Sequence, residues 1–128
     1  MPDRKPTAAE LELLRSLWQL GPATVKDVHA AMQADRPSLT YANVLRLMQV
    51  MHGKGLLTRD ESQRSHVYAP AQAQDALQTN LLTDIIQKAF AGSGKHLVLA
   101  ALSAHVTQAE REEIRQLLDD TAGDSDDA

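Results

Sequence analysis

Cysteine is absent from the 128 residues, which excludes a disulfide framework and a thiolate metal site. No apolar run is long enough to cross a bilayer, and Met1-Pro2-Asp3-Arg4-Lys5 carries no signal-peptide pattern, so a cytoplasmic chain without membrane insertion is expected. There is no Gly-rich phosphate loop and no metal-ligand spacing, and therefore no cofactor is expected. Nucleophile and base meet only in Ser65-His66 and Ser103-Ala104-His105; neither has a third orienting group, and neighbours in sequence seldom share a site. Catalysis is not where this sequence leads. Hydrophobic residues make up 43% of the chain, enough to exclude a wholly disordered polymer and to fill one modest domain plus an accessory element.

Helix punctuation is plentiful. Thr7-Ala8-Ala9-Glu10 is a capping box, a hydroxyl followed three residues later by a carboxylate, and should open a first helix. Leu11, Leu14 and Trp18 recur there at helical spacing, widened by Leu13 and Leu17, until Gly21-Pro22 ends the run. Thr24 caps a second helix with the stripe Val25, Val28 and Met32, and Pro37 closes the link to a third. Over residues 40–52 of that third helix, Val44, Leu47, Met48 and Met51 share one side. Its other side carries Ala42, Arg46 and Gln49, with Asn43 on the flank and Ser38, Thr40 and Tyr41 at the N-terminal end. Arg pairs with guanine edges and Asn or Gln with adenine edges, while a helix start suits a phosphate. The alternative is a set of ordinary solvated side chains.

Gly53-Lys54-Gly55 stops this helix. Two strand-like runs follow, at residues 56–61 and 66–69, joined by the polar Ser62-Gln63-Arg64-Ser65. Helix, turn, helix and hairpin in this order are the layout of a winged helix-turn-helix, which lays one helix in a major groove while its wing touches the flanking backbone. Arg64 at the wing tip would contact phosphate, supported by Arg59, with Asp60 and Glu61 facing away from the duplex. A solvated hairpin is the competing reading. His66 reads as a packed or surface residue rather than a metal ligand.

The net charge of −4 divides unevenly: residues 1–70 carry +2 and residues 71–128 carry −6. An acidic second half is compatible with DNA binding, because only the field at the groove enters the phosphate interaction. After Pro70 a broad stripe of Leu77, Leu81, Leu82, Ile85, Ile86, Ala89 and Phe90 predicts a long helix. Leu97, Val98, Leu99, Ala101 and Leu102 predict a short one, and the capping box Thr107-Gln108-Ala109-Glu110 opens another with Ile114, Leu117 and Leu118. Three short helices make a thin layer, so a second copy of the chain is expected to cover them; an intramolecular fold-back is the alternative. The expected organisation is mainly α: a winged helix-turn-helix DNA-binding domain with a small β-hairpin wing over 1–70, a helical dimerisation domain over 71–120, and a flexible acidic tail over 121–128. A winged-helix module that binds protein rather than DNA is the rival function.

Three stretches carry a family resemblance: residues 7–14 with Trp18 and residues 21–28; residues 41–48; and Lys54-Gly55-Leu56-Leu57 followed by Arg64, Val67 and Tyr68. With Phe90-Ala91-Gly92-Ser93 and Leu97-Val98 in the second half, the chain resembles the penicillinase-repressor (BlaI/MecI/CopY) family over roughly residues 7–119. The resemblance implies a homodimeric repressor of beta-lactam or cell-wall stress genes on a palindromic double-stranded DNA operator, with residues 41–48 as recognition helix and the second half as dimer seam. It also implies a membrane sensor peptidase that acts indirectly, through proteolysis of the repressor. Two departures qualify this. The cysteine cluster of copper-responsive relatives is missing, and Ala100-Ala101 stands where beta-lactam-responsive relatives are cut at Asn-Phe.

Overall fold

The computed structural model describes residues 5–126. The elements run α1 (Ala8–Leu20), α2 (Val25–Gln33), α3 (Tyr41–Gly53), β1 (Leu57–Asp60), β2 (Val67–Pro70), α4 (Gln74–Ala89), α5 (Gly94–Ala104) and α6 (Gln108–Asp126). The first three helices start where the sequence offers a cap. Thr7 Oγ1 accepts from the Glu10 amide at 3.2 Å while Glu10 Oε1 accepts from the Thr7 amide at 2.8 Å. Thr24 and Asp27 repeat the device at 3.2 and 3.3 Å, and Thr40 Oγ1 accepts from the Asn43 amide at 3.2 Å. Each satisfies amides that a helix start leaves without partners, which contributes about 0.5–2 kcal/mol per cap.

The buried side of α1 is Leu13, Leu14 and Leu17, whereas Leu11 and Trp18 lie half-buried at its margins. Val28 and Met32 of α2 and Val44, Met48 and Met51 of α3 meet them, and Leu57 and Tyr68 close the core from the hairpin. Leu47, placed on the same stripe by its spacing, is only half-buried. Strands β1 and β2 pair antiparallel, with Leu57 opposite Pro70 and Arg59 opposite Tyr68. A further bridge ties this wing to the helices: Ala23 and Tyr68 exchange backbone hydrogen bonds of 2.9 and 2.8 Å. Glu10, 2% exposed, reaches in its turn to the end of α3, where its Oε2 meets Lys54 Nζ at 2.7 Å. Lys54 is the C-cap of α3, so one ion pair joins the start of α1 to the end of the third helix.

The chain divides into two compact units between Leu81 and Leu82, inside α4 rather than at Pro70. The reason is Leu77, expected in a dimer seam but 6% exposed in the core of the first unit, with Leu81 packed against the same core. Trp18 Nε1 also donates to the Gln72 carbonyl at 3.1 Å, holding the approach to α4 against α1. In the second unit α4 ends in a reversal, with the Gly92 amide bonded to the Ile86 carbonyl at 2.8 Å and Ala91 at φ 50° in the left-handed region. Ser93 and Thr107 cap α5 and α6. The tail expected over 121–128 is instead helical to Asp126, with Thr121 Oγ1 bonded back to the Leu117 carbonyl at 2.8 Å; residues 127–128 lie outside the described residues.

Candidate nucleic-acid interface

With Val44, Met48 and Met51 buried, α3 can turn only one side outward, and Ala42, Arg46 and Gln49 are exposed there. The two edges of that side border different surfaces. Tyr41 and Gln49 line a cleft of about 270 Å³ shared with Thr24 and Lys26 at the start of α2 and with Arg59, Arg64 and His66 of the hairpin. Asn43 and Arg46 instead border an apolar groove of about 330 Å³ formed with Met32, Leu39, Leu47 and Val50. The side chains expected to act at α3 thus flank one ridge, and Arg59 and Arg64 join them across the cleft. Ser38 is exposed in the turn before the helix, whereas the Thr40 hydroxyl is occupied as the cap.

The start of α3 is held by a residue that sequence reasoning passed over. His29 on α2 bonds through Nε2 to the Leu39 carbonyl at 2.8 Å; a carbonyl only accepts, so Nε2 carries the proton. The same ring meets Tyr41 edge-on, centroids 6.0 Å apart and planes at 90°. Nothing in the local pattern marks His29 for this, because both contacts cross the turn between the helices. Lys26 was missed likewise: it is an exposed cation on the second helix, and only the fold brings it to the wing cleft.

Arg59 departs from expectation. Its Nε and Nη2 both bond Glu61 Oε2, at 2.7 and 2.6 Å, so Glu61 turns onto the arginine. The Tyr68 hydroxyl, and after it Glu61, hold the guanidinium above its usual range, and Arg59 in return holds the Glu61 carboxyl below its own. The Asp60 carboxyl is held low by the amide and hydroxyl of Ser62, the first of which bonds it at 2.9 Å and shapes the wing turn.

The second unit presents a different surface. Among residues 82–121 none is buried. Leu82 and Ile85 are 44% and 49% exposed, and Leu117 and Leu118 are both 65% exposed. Ala89 is exposed as well, while Ile86, Phe90, Leu97, Leu102 and Ile114 are half-buried. Ala100 and Ala101 lie inside α5, the first exposed and the second half-buried.

Capped helix, turn, outward-facing helix and hairpin wing make up a winged helix, and together with the family match they place the chain among DNA-binding transcription regulators of the repressor class, not enzymes. The family model described as penicillinase repressor matches residues 6–120, and the chain belongs to that family. Among solved structures it is similar to BpsR of Bordetella bronchiseptica, described for the regulation of its DNA binding by 6-hydroxynicotinic acid. The identity is 21% over 96% of this chain and 79% of that one, with a TM-score of 0.46, a likeness too distant to carry an argument. No curated protein matches the chain. No helix among the described residues is long and apolar enough to cross a membrane.

Proposed function

We propose that the chain acts in the cytoplasm as a homodimer that occupies a palindromic operator and blocks transcription of the genes behind it. The observation that carries this reading is α3: its inner side is buried in the core, its outer side offers Ala42, Arg46 and Gln49, and a cleft beside it gathers Lys26, Arg59 and Arg64. Arg46 and Asn43 read base edges, and Arg64 and Lys26 hold backbone phosphates. Dimerisation is supported by the uncovered apolar side chains of the second unit, Leu82, Ile85, Leu117 and Leu118. Two recognition helices related by a two-fold axis would read half-sites one helical turn apart, roughly 34–36 Å, or a multiple of it.

The family supports beta-lactam or cell-wall stress genes as targets, with release by proteolysis under a membrane sensor peptidase that acts indirectly. The Ala100-Ala101 bond lies within a hydrogen-bonded helix, so cleavage there requires local opening of α5 and a protease of other than Asn-Phe specificity.

The test is retardation of palindromic fragments from the chain's own upstream region. Arg46→Ala should cost about 1–3 kcal/mol on the cognate site and relax preference at one base pair. Arg64→Ala should weaken all sequences about equally and reduce the salt slope by about 0.9 per lost contact. Absence of salt-dependent binding to any such fragment would overturn the reading in favour of a protein-interaction module.

A further inference from the structure

Arg59 occupies an unusual position among the cations of the wing cleft. It lies opposite Tyr68 in the hairpin and two residues from Leu57, so it shares the face that carries the buried Leu57 and Tyr68, and it lines the cleft with Lys26, Gln49 and Arg64. Lys26 and Arg64 have no ion-pair partner among the described residues, whereas the Arg59 fork closes on a single Glu61 oxygen at 2.6 and 2.7 Å. Carboxylate and phosphate oxygens fit the same guanidinium fork. The Glu61 side chain is 53% exposed and that of Arg59 24%, so the pair is screened by water and contributes little to holding the hairpin together.

We infer that Glu61 is an internal competitor for DNA phosphate at Arg59, which lowers the wing's affinity for duplex of any sequence. This rests on the DNA-binding reading above. Whichever oxygen Arg59 bonds in the complex, the pair presents no net charge to the duplex, so Arg59 releases no counterion on binding while Lys26 and Arg64 do. A cancelled charge at a backbone contact reduces the sequence-independent part of the affinity, which operator and non-operator duplex share.

The experiment is a double-mutant cycle on a non-operator duplex and on the operator, with wild type, Glu61→Gln, Arg59→Ala and the double variant compared from 50 to 200 mM salt. Gln keeps the shape and an oxygen that accepts from Arg59 but removes the charge. Glu61→Gln should steepen the salt slope by about 0.9 per chain, an extra loss of roughly 3.5-fold in affinity across that range. It should also tighten operator and non-operator binding by about the same factor. The double variant, which removes both charges, should return the slope to its wild-type value. Thermal melting of each variant confirms the fold. An unchanged slope in Glu61→Gln, or a double variant whose slope falls a full ~0.9 below wild type, would overturn the inference while leaving operator binding intact. A wild-type chain that retards neither duplex would overturn the underlying reading with it.

Discussion

Helices α2 and α5 teach opposite lessons about apolar sequence. VKDVHAAMQ carries three charged or imidazole side chains and still buries Val25, Val28 and Met32, whereas GKHLVLAALSA is richer in apolar residues and buries none. The difference lies in neighbours. α2 is covered by α1 and α3 of its own chain, and the winged unit closes around Leu13, Leu17 and Met48, each 0% exposed. In the second unit Leu117 and Leu118 remain 65% exposed. A stripe at helical spacing therefore shows that a surface is apolar and leaves open whether the same chain or a second copy covers it.

The sharpest way to break this contrast is to place a charge on the open surface. Ile85→Asp would bury an unpaired carboxylate in a two-chain seam, so the variant should sediment as a folded monomer. Operator affinity should fall about 10²–10⁴-fold, because linkage between half-sites is lost. A wild-type chain that is monomeric at micromolar concentration yet binds the operator tightly would remove the basis for the dimer.

Paired leucine truncations test the comparison next. Leu13→Ala should cost about 2–5 kcal/mol in urea unfolding, since it opens a cavity in a closed core. Leu118→Ala should change the stability of the monomeric chain by less than about 0.5 kcal/mol. Equal costs at the two sites would mean that the second unit is as closed as the first.

A smaller effect belongs to the ion pair that braces the winged unit. Burial pushes the Glu10 carboxyl up, but the hydrogen bonds from Lys54 and the Thr7 amide, with the Lys54 charge, outweigh it and leave the pKa below the ordinary 4.5. A depressed carboxyl stabilises fully above that ordinary value and loses its contribution as pH falls through the folded-state value. Glu10→Gln should therefore cost about 1–3 kcal/mol at neutral pH. Thermal melts of mutant and wild type should converge below pH 4.5, and a gap that stays constant into acid would show that the charge is not what stabilises the contact.

The smallest change is expected at the end of α4. Ala91 holds φ 50°, a conformation that costs an L-residue about 1–2 kcal/mol and glycine nothing. Ala91→Gly should stabilise the second unit by about 0.5 kcal/mol once the greater freedom of the unfolded chain is deducted. Hydrogen exchange across α4 and α5 would register the gain, and faster exchange would contradict the strain argument.

Much of the winged unit could be read directly. Thr7 with Glu10 and Thr24 with Asp27 announce their helices because a capping box is completed within four residues. The hairpin strands fell within a residue of their expected places because Gly53-Lys54-Gly55 precedes the first and the polar Ser62-Gln63-Arg64-Ser65 separates the two. The outward side of α3 followed from the spacing of Val44, Met48 and Met51. Leu77 was misplaced because its spacing matches Leu81 and Ile85 on one helix, and periodicity cannot register that the core of another unit takes up the first turns. Glu61 was expected to face away from the duplex, and its pairing with Arg59 had no signal in the sequence. His29 on the Leu39 carbonyl and Ala23 on Tyr68 left no local signal at all.

By itself, then, the order of residues determined where helices start and stop, which side of each is apolar, and that the third helix should be followed by a wing. These are outcomes of hydrogen bonds and burial preferences that act within one or two turns of chain. Only the tertiary structure decided that Lys26, Arg59 and Arg64 share a cleft, that Glu10 braces Lys54, and that Leu77 belongs to the first core while Leu118 stays open. Such pairings join residues far apart in sequence, and their partners are selected by the packing of whole elements, which no local pattern encodes.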